Sequence, residues 1–242
     1  MKKYIPNFIT LLNVLCGCIA TLFAVIGEFQ LVALFVFLGI FFDFFDGLAS
    51  RALDVKSELG LQLDSLADMI TSGLVPGIVM FKLLGMSISS DWNMETSFAL
   101  ADIQLMPFLG FLITMASAYR LAKFNIDENQ TSSFIGLPTP ANALLVISLP
   151  LILLYQNNDY LNSIILNKWF LLVITLLSAY LLNAKLALFA LKFKNWGFKE
   201  NGLRYIFLII SLVLLITLQF LAIPIIILFY ILVSLFWKST AD

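Results

Sequence analysis

Eight long apolar runs follow one another along this chain, separated by polar gaps. A helix needs about 20 apolar residues to cross the hydrocarbon core of a bilayer, so these runs predict transmembrane helices. The predicted spans cover residues 7–27, 30–51, 62–86, 104–124, 138–156, 167–190, 203–221 and 223–238. Only a short turn near Pro224 separates the last two, so seven spans is the alternative count. Because no gap is long enough to fold alone, we expect residues 1–242 to form a single integral membrane domain.

The composition sharpens this prediction. Of the 242 residues, 61% are hydrophobic and 12% are charged, and the mean hydropathy is +1.00. Soluble domains have roughly 45–50% apolar and about 25% charged residues, so we expect an all-α polytopic membrane protein without a nucleic-acid partner.

No convincing small-residue cleavage site follows the first apolar run, so we expect the first helix to be retained. The chain has no histidine, which excludes any mechanism that needs an imidazole base, nucleophile or metal ligand.

Lysine and arginine are distributed unevenly over the two sides of the predicted bundle. Cytoplasmic loops of membrane proteins are enriched in these residues. With eight spans and both termini inside, twelve of the fourteen fall on the cytoplasmic side, and the other side has only Lys82 and Lys168. The sequence therefore predicts a protein of the cell (cytoplasmic) membrane with both termini on the cytoplasmic side. The segment from Asp43 to Gly60 then lies at the cytoplasmic face.

Two pairs of acidic residues interrupt the second and third apolar runs. Asp43 and Asp46 stand three residues apart in "FFDFFDGLAS", and Asp64 and Asp68 stand four apart. Both spacings place a pair on one face of a helix. The polar segment between the pairs is too short to cross the membrane, so it turns the chain and lets the four carboxylates converge on one cavity. Since a charge in hydrocarbon costs about 2.5 kcal/mol or more, such residues indicate a functional site.

Four carboxylates in one cavity need compensating positive charge. Two unit charges ~4 Å apart repel by about 4 kcal/mol at an effective dielectric constant of about 20. Arg51 is the only nearby fixed cation besides Lys56, so bound metal or protons must supply the rest. An all-oxygen site selects hard cations such as Mg²⁺, Mn²⁺ or Ca²⁺, which suit phosphoryl transfer. Gly47 leaves room for a ligand, Arg51 offers forked donors for phosphate, and the rim of the pocket extends to Ser57 and Gly60.

These residues resemble the signature of the CDP-alcohol phosphotransferase family. The chain reads Asp43-x2-Asp46-Gly47-x3-Arg51-x8-Gly60-x3-Asp64-x3-Asp68, and the family signature is D-x2-D-G-x2-A-R-x8-G-x3-D-x3-D. Ser50 stands where the family usually has alanine, so one small residue replaces another. The resemblance implies a six-helix core, here at about residues 5–200, with two additional C-terminal helices at about 203–238. It also implies a homodimer whose active site opens to the cytoplasmic face.

The resemblance also implies roles for individual residues. Asp43, Asp46 and Asp64 would bind divalent metal, with two Mg²⁺ or Mn²⁺ ions expected. Asp68 would share the second ion or act as the catalytic general base, and Ca²⁺ would be a non-productive occupant. The CDP part of a CDP-lipid would be held by Gly47, Arg51, Ser57 and Gly60, and by Asn7 and Thr10 of "PNFIT", which resembles the family's nucleotide-contacting segment.

Further stretches resemble the phosphatidylserine synthase branch of this family. They are "YRLAKFNID" (119–127), "FIGLPTPANA" (134–143), "LDSLADMITSGLVP" (63–76) and "FALKFKN" (189–195). The resemblance implies transfer of the phosphatidyl group from CDP-diacylglycerol to the hydroxyl of L-serine, with CMP released. Arg120 would hold the serine carboxylate, and Lys123 and Asn125 would complete that pocket. The alternative for Arg120 and Lys123 is ordinary snorkelling to the membrane interface.

Two other functions stay open on the residues alone. The same chemistry with glycerol-3-phosphate or inositol phosphate as acceptor would need a more basic pocket than Arg120 and Lys123 provide. A cation or proton transporter would use the carboxylates as its binding site, but these lie in the cytoplasmic third of the bilayer rather than at its midplane. Direct transfer without a covalent intermediate is expected, because the site has neither histidine nor cysteine.

Overall fold

The structure is a computed structural model that describes residues 4–55, 57–89, 104–126, 134–156, 158–188 and 197–236. In these residues the chain forms ten α-helices and one pair of two-residue strands. The helices are α1 Tyr4–Ile26, α2 Phe29–Ala52, α3 Glu58–Asp68, α4 Val75–Ser89, α5 Phe111–Ile126, α6 Thr139–Tyr155, α7 Asp159–Ile165, α8 Lys168–Asn183, α9 Phe198–Leu218 and α10 Ala222–Phe236. The strands are β1 Phe134–Ile135 and β2 Ala187–Leu188. A π-helix, Met69–Leu74, joins α3 to α4, and 3₁₀ turns cover Met106–Gly110 and Gln219–Leu221.

A described helix overlaps every predicted span. The third span is longer than predicted, because the helix begins at Glu58, where the Ser57 hydroxyl accepts a hydrogen bond from the Gly60 amide and caps it. The short helix α7 was not predicted; the Asn158 side chain caps it by accepting from the next backbone amides. Two parts of the sequence prediction lie outside the described residues. They are the segment 189–195, which resembles the family, and Lys56, a predicted cation near the carboxylates.

Within the described residues, four helical segments are long and apolar enough to cross a membrane by length and composition, fewer than the eight predicted spans. They are Tyr4–Ile26, Phe29–Ala52, Glu58–Ser89 and Asn201–Phe236. Helices α7 and α8 meet at a bend of 59° and make a fifth segment if they are taken together. These segments make the chain a helical integral membrane protein.

The C-terminal segment Asn201–Phe236 is folded back on itself. The rings of Phe207 and Phe229 stack with centroids 5.7 Å apart. In one straight helix these two residues would lie about 33 Å apart, at about 1.5 Å per residue. The reversal occurs at Gln219, which has a positive φ of 50°. Helices α9 and α10 are therefore antiparallel. The turn predicted near Pro224 is present, a few residues before that proline.

Helices α4 and α6 form the centre of the bundle. Met80, Leu83 and Leu84 of α4 and Ile152 of α6 are almost fully inaccessible. Helix α1 packs along α2 and also against α3 and the π-helix, so it connects the two helices that carry the acidic pairs. The outer helices expose large apolar side chains such as Phe37, as expected of surfaces that face lipid.

A short strand pair is the one departure from an all-helical chain in the described residues. Strands β1 and β2 are antiparallel, and the Gly136 amide donates to the Leu186 carbonyl. Gly136 has φ +75°, and a Cβ there would come within 2.6 Å of the Leu182 carbonyl oxygen. The position therefore requires glycine. The pair connects the start of α6 to the chain after α8.

Candidate active site

A tight turn between α2 and α3 brings the two acidic helices together. The Ser50 hydroxyl donates to the Val55 carbonyl at 2.8 Å, and the Val55 amide donates to the Ser50 carbonyl at 3.0 Å. Within this turn Asp54 has a positive φ of 51°, a conformation that aspartate tolerates better than most residues. The predicted turn between the two acidic helices is confirmed. Ser50 makes a hydrogen bond there that an alanine could not make.

Three of the four predicted carboxylates meet. Asp43 and Asp46 stand one turn apart on α2, and Asp64 lies on α3. One oxygen from each comes within 4.8 Å of the others. Asp46 is only 6% exposed, and the other two are half-buried. The spacing in the sequence and the short turn together predicted this meeting.

Asp68 lies beside this group rather than within it. It is the last residue of α3, one turn beyond Asp64, and the π-helix begins immediately after it. It is near enough to Asp43, Asp46 and Asp64 to interact with them electrostatically, and it is half-buried. The acidic group thus consists of three converging carboxylates and a fourth that flanks them.

The donor set fits a hard divalent cation. Three carboxylates within 4.8 Å offer only oxygen ligands, which Mg²⁺, Mn²⁺ and Ca²⁺ prefer. Asp43, Asp46 and Asp64 could hold one such ion together. Their mutual repulsion in a partly buried place also favours a bound cation over three free charges.

Thr10 on α1 supports this group directly. Its hydroxyl lies 2.5 Å from Asp46 Oδ2, to which it donates, and 3.0 Å from the Pro6 carbonyl. Thr10 is 3% exposed. The sequence predicted a nucleotide contact for this residue, and the structure shows a hydrogen bond to a carboxylate of the cluster. Its side chain therefore fixes one orientation of Asp46.

A cavity of about 570 Å³ opens beside the cluster. It is lined by Pro6, Asn7, Thr10, Asp46, Gly47, Ser50, Val55, Ser57, Glu58, Gly60, Leu61 and Asp64. Five of the six residues predicted to hold the CDP part of a lipid are in this lining. The sixth, Arg51, is exposed one turn after Gly47 and is not among the lining residues.

Two glycines shape this cavity in different ways. A Cβ placed on Gly47 would meet no described atom within 4 Å, so the space beside this backbone is open. A Cβ on Gly60 would lie 3.0 Å from the Ser57 hydroxyl and 3.2 Å from Asn7 Oδ1. Asn7 lies inside the first turn of α1 and faces the capped start of α3. The wall of the cavity is therefore built where α1 and α3 approach each other.

The three residues predicted to bind the acceptor lie on α5 and do not line this cavity. Arg120 donates to the Leu182 carbonyl at the end of α8 at 2.8 Å. Asn125 accepts from the Ser65 hydroxyl at 3.0 Å and donates to Gln62, both on α3. Lys123 is exposed. Asn125 thus contacts the helix that carries Asp64 and Asp68.

Two buried polar residues near the cluster were missed in the sequence. The Thr71 hydroxyl, in the π-helix, donates to Asn13 Oδ1 on α1 at 2.7 Å, and both residues are fully buried. A signal existed, since Asn7, Thr10 and Asn13 recur at three-residue spacing along one side of α1. In an apolar helix such a polar row is typical of a face that lines a functional site.

The chain is similar to known proteins over much of its length. The model of the CDP-alcohol phosphatidyltransferase family matches residues 3–181. Proteins named CDP-diacylglycerol–serine O-phosphatidyltransferase match from Bacillus subtilis (34% identical over 150 residues), Methanocaldococcus jannaschii (30% over 161) and Saccharomyces cerevisiae (28% over 162). The alignments cover 60%, 66% and 60% of this chain and 75%, 66% and 53% of those proteins. The chain belongs to the CDP-alcohol phosphatidyltransferase family.

Proposed function

We propose that this protein transfers the phosphatidyl group of CDP-diacylglycerol to the hydroxyl of L-serine, giving phosphatidylserine and CMP. The observation that carries the proposal is the meeting of Asp43, Asp46 and Asp64 at a cavity lined by other residues of the family signature. Bacterial, archaeal and yeast relatives that carry the serine-transferase name support the choice of acceptor.

The cavity is suited to the nucleotide and diphosphate of the lipid. It includes the start of α3, where backbone N–H groups and the helix dipole favour a phosphate. The open space beside Gly47 allows the ligand to approach the backbone of α2. Asn7, Ser57 and Gly60 form the wall. The exposed Arg51, one turn after Gly47, would offer forked donors to the diphosphate. The acyl chains would lie against the apolar outer helix faces.

The acidic group would hold the divalent ions that this reaction needs. Asp43, Asp46 and Asp64 would provide the ligands, with Mg²⁺ or Mn²⁺ as the productive metals. Of the two roles expected for Asp68, we propose that of the general base rather than that of a ligand to the second ion. When bound, such ions neutralise the diphosphate and stabilise the departing CMP. Thr10 holds Asp46 in the orientation that the structure shows.

The chemistry is a direct displacement. The serine hydroxyl oxygen forms a bond to the phosphorus next to the diacylglycerol, and the bond from that phosphorus to the CMP oxygen breaks. Asp68, which flanks the cluster, accepts the hydroxyl proton as general base. No histidine exists in the chain and no cysteine lines the cavity, so no covalent phospho-enzyme is proposed.

The acceptor is proposed to bind on the α5 side of the site. Asn125 contacts Ser65, the residue next to Asp64, so the end of α5 adjoins the acidic helix. Arg120 would hold the serine carboxylate, and Lys123 adds positive charge at the interface. A zwitterion needs fewer cationic groups than an acceptor with an additional phosphate, which agrees with this modest set.

The membrane arrangement is also a proposal. We propose eight spans, with a six-helix core in residues 5–200 and the α9–α10 hairpin as the addition. Both termini and the active site would face the cytoplasm, since twelve of the fourteen lysines and arginines then lie on that side. The functional unit would be a homodimer, as the family resemblance implies.

The test is acceptor-dependent release of CMP. The purified protein receives CDP-diacylglycerol, Mg²⁺ or Mn²⁺, and serine, glycerol-3-phosphate or inositol phosphate in separate reactions. CMP and a phosphatidylserine product are expected only with serine, and Asp64→Asn should abolish both. Product only with glycerol-3-phosphate would assign a different acceptor. Wild-type CMP release by Asp64→Asn would remove the proposed metal site.

A further inference from the structure

A buried amide lies on α1, about one turn after Thr10, the residue that contacts the acidic cluster. Asn13 is fully buried, and its Oδ1 accepts the Thr71 hydroxyl at 2.7 Å. Its Nδ2 has no hydrogen-bond partner within the described part of the chain. A buried hydrogen-bond donor without an acceptor lowers the stability of the fold. The unpaired Nδ2 of Asn13 therefore indicates a functional role.

Thr71 and Asn13 occupy a notch made by two glycines. A Cβ on Gly17 of α1 would lie 2.5 Å from the Thr71 hydroxyl oxygen. A Cβ on Gly39 of α2 would lie 2.6 Å from the Thr71 methyl and 2.8 Å from Asn13 Oδ1. Both helices therefore lack a side chain where the π-helix approaches them. This close packing leaves the Asn13 amide little freedom to move.

The Thr71 hydroxyl determines which end of the amide faces it. The Thr71 hydroxyl lies 2.7 Å from Asn13 Oδ1 and 3.2 Å from the Asn13 backbone carbonyl. Its one proton is best placed for the nearer Oδ1, so the NH₂ end of Asn13 points away from Thr71. Asp68 is the carboxylate nearest to Thr71 along the chain. It precedes Thr71 by three residues, at the point where the α-helix widens into the π-helix. π-Helical turns of this kind often occur at functional sites.

We infer that Asn13 is a positioning residue for Asp68, donating from Nδ2 to one carboxylate oxygen while the other oxygen faces the acceptor hydroxyl. Thr71 holds the amide in the donating orientation. This inference rests on the proposed function, in which Asp68 accepts the proton of the acceptor. Hydrogen bonds of catalytic groups are often long without substrate and shorten in the reacting complex, which agrees with an Nδ2 that still lacks a partner.

A matched pair of variants at Thr71 tests the inference. Thr71→Val keeps the shape and removes the hydroxyl, and Thr71→Ser keeps the hydroxyl and removes the methyl group. Loss of an outer contact that orients a catalytic group lowers activity about 10- to 100-fold, so kcat of Thr71→Val should fall in this range. The KM values for serine and CDP-diacylglycerol should stay within about twofold of wild type, and Thr71→Ser should keep most of kcat.

Asn13→Asp tests the donor itself, because it replaces the NH₂ group by an acceptor of the same shape. Its kcat should fall at least as far as that of Thr71→Val. A structure with bound CDP should show Asn13 Nδ2 within 3.2 Å of an Asp68 oxygen, a typical hydrogen-bond length of roughly 2.7–3.2 Å. An Nδ2 that contacts the nucleotide instead would overturn the inference.

Asp68→Asn separates this inference from the function on which it rests. If Asp68→Asn releases CMP at the wild-type rate, the proposed role of Asp68 falls, whatever Asn13 does. If Asp68→Asn is inactive and both Thr71 variants lose kcat equally, or lose only thermal stability, Asn13 and Thr71 contribute packing alone and the inference is wrong. Thermal unfolding of each variant in detergent shows whether it has folded.

Discussion

The Thr10 hydroxyl donates to Asp46 Oδ2 at 2.5 Å, across the interface between α1 and α2. This bond joins a helix without acidic residues to the cluster that two other helices build. It occupies one carboxylate oxygen in a buried place and so selects one orientation of Asp46. The first helix of the chain thus shapes the acidic group without contributing a charge to it.

Thr10→Val should weaken metal binding. The substitution keeps the side-chain shape and removes the donor, and loss of a partner that orients a metal ligand typically costs about 10- to 100-fold in affinity. The Mn²⁺ concentration that gives half-maximal CMP release should rise accordingly, and Thr10→Ser should restore most of it. Thr175→Val is the control, because the Thr175 hydroxyl bonds to the Leu171 carbonyl of its own helix. Equal metal dependence in Thr10→Val and wild type would contradict the prediction.

Gly47→Ala should impair substrate binding without harming the fold. The new methyl group would meet no described protein atom within 4 Å, and alanine favours an α-helix over glycine by about 0.5–1 kcal/mol. The KM for CDP-diacylglycerol should rise roughly tenfold, which corresponds to about 1.4 kcal/mol of lost binding. The unfolding temperature should stay the same or rise slightly.

Gly39→Ala is the matched comparison for that variant. Its methyl group would lie within 2.8 Å of both Thr71 and Asn13, so we expect a lower unfolding temperature. If Gly47→Ala instead unfolds early and binds the lipid normally, the space beside Gly47 does not serve the substrate.

Removal of the metal should destabilise the folded protein. A ligand that binds only the native state stabilises it by about 2.7 kcal/mol at a hundredfold excess over Kd. The unfolding temperature of wild type should therefore rise when Mg²⁺ replaces a chelator. Asp64→Asn should abolish this rise, because it removes one of the three converging carboxylates. Glu58→Gln should preserve it, since Glu58 lines the cavity outside that group. A rise of the same size in Asp64→Asn would place the ion elsewhere.

Arg120→Gln should raise the KM for serine more than that for CDP-diacylglycerol. If the guanidinium holds the serine carboxylate, its loss removes a charge-assisted hydrogen bond of about 1.5–3 kcal/mol, or roughly 10-fold or more in KM. Steady-state CMP release over a serine titration measures this. Lys123→Gln, at an exposed position on the same helix, should have the smaller effect. A lower unfolding temperature with unchanged KM would show that Arg120 stabilises the fold and does not bind serine.

Local patterns in the sequence predicted the helices and the acidic cluster. The three- and four-residue spacings place Asp43 with Asp46 and Asp64 with Asp68 on helix faces whatever the rest of the fold does. The short polar turn between α2 and α3 then keeps these two acidic faces close together. These patterns also predicted part of the cavity lining, because Gly47, Ser57 and Gly60 are close to those carboxylates along the chain.

Features that depend on contacts between distant segments were not predicted. The Asn13–Thr71 bond joins residues far apart in sequence. Gly17 and Gly39 leave space for these side chains only when α1 and α2 are packed together. The partner of Arg120 is a backbone carbonyl at the end of α8, and a carbonyl has no signature in the sequence. Strands of two residues are likewise too short for an alternating pattern.

The orientation of the acidic residues depends on the number of residues in the π-helix between Asp68 and Val75. Its bonds run from i to i+5, so it takes up one more residue per turn than the α-helix on either side. Since each residue of an α-helix turns the chain by about 100°, inserting or deleting one residue here would rotate the acidic face away from α1 or swing α4 out of the core. Substitutions in this stretch can be accommodated one by one, whereas a change in its length would undo the alignment of every helix that follows.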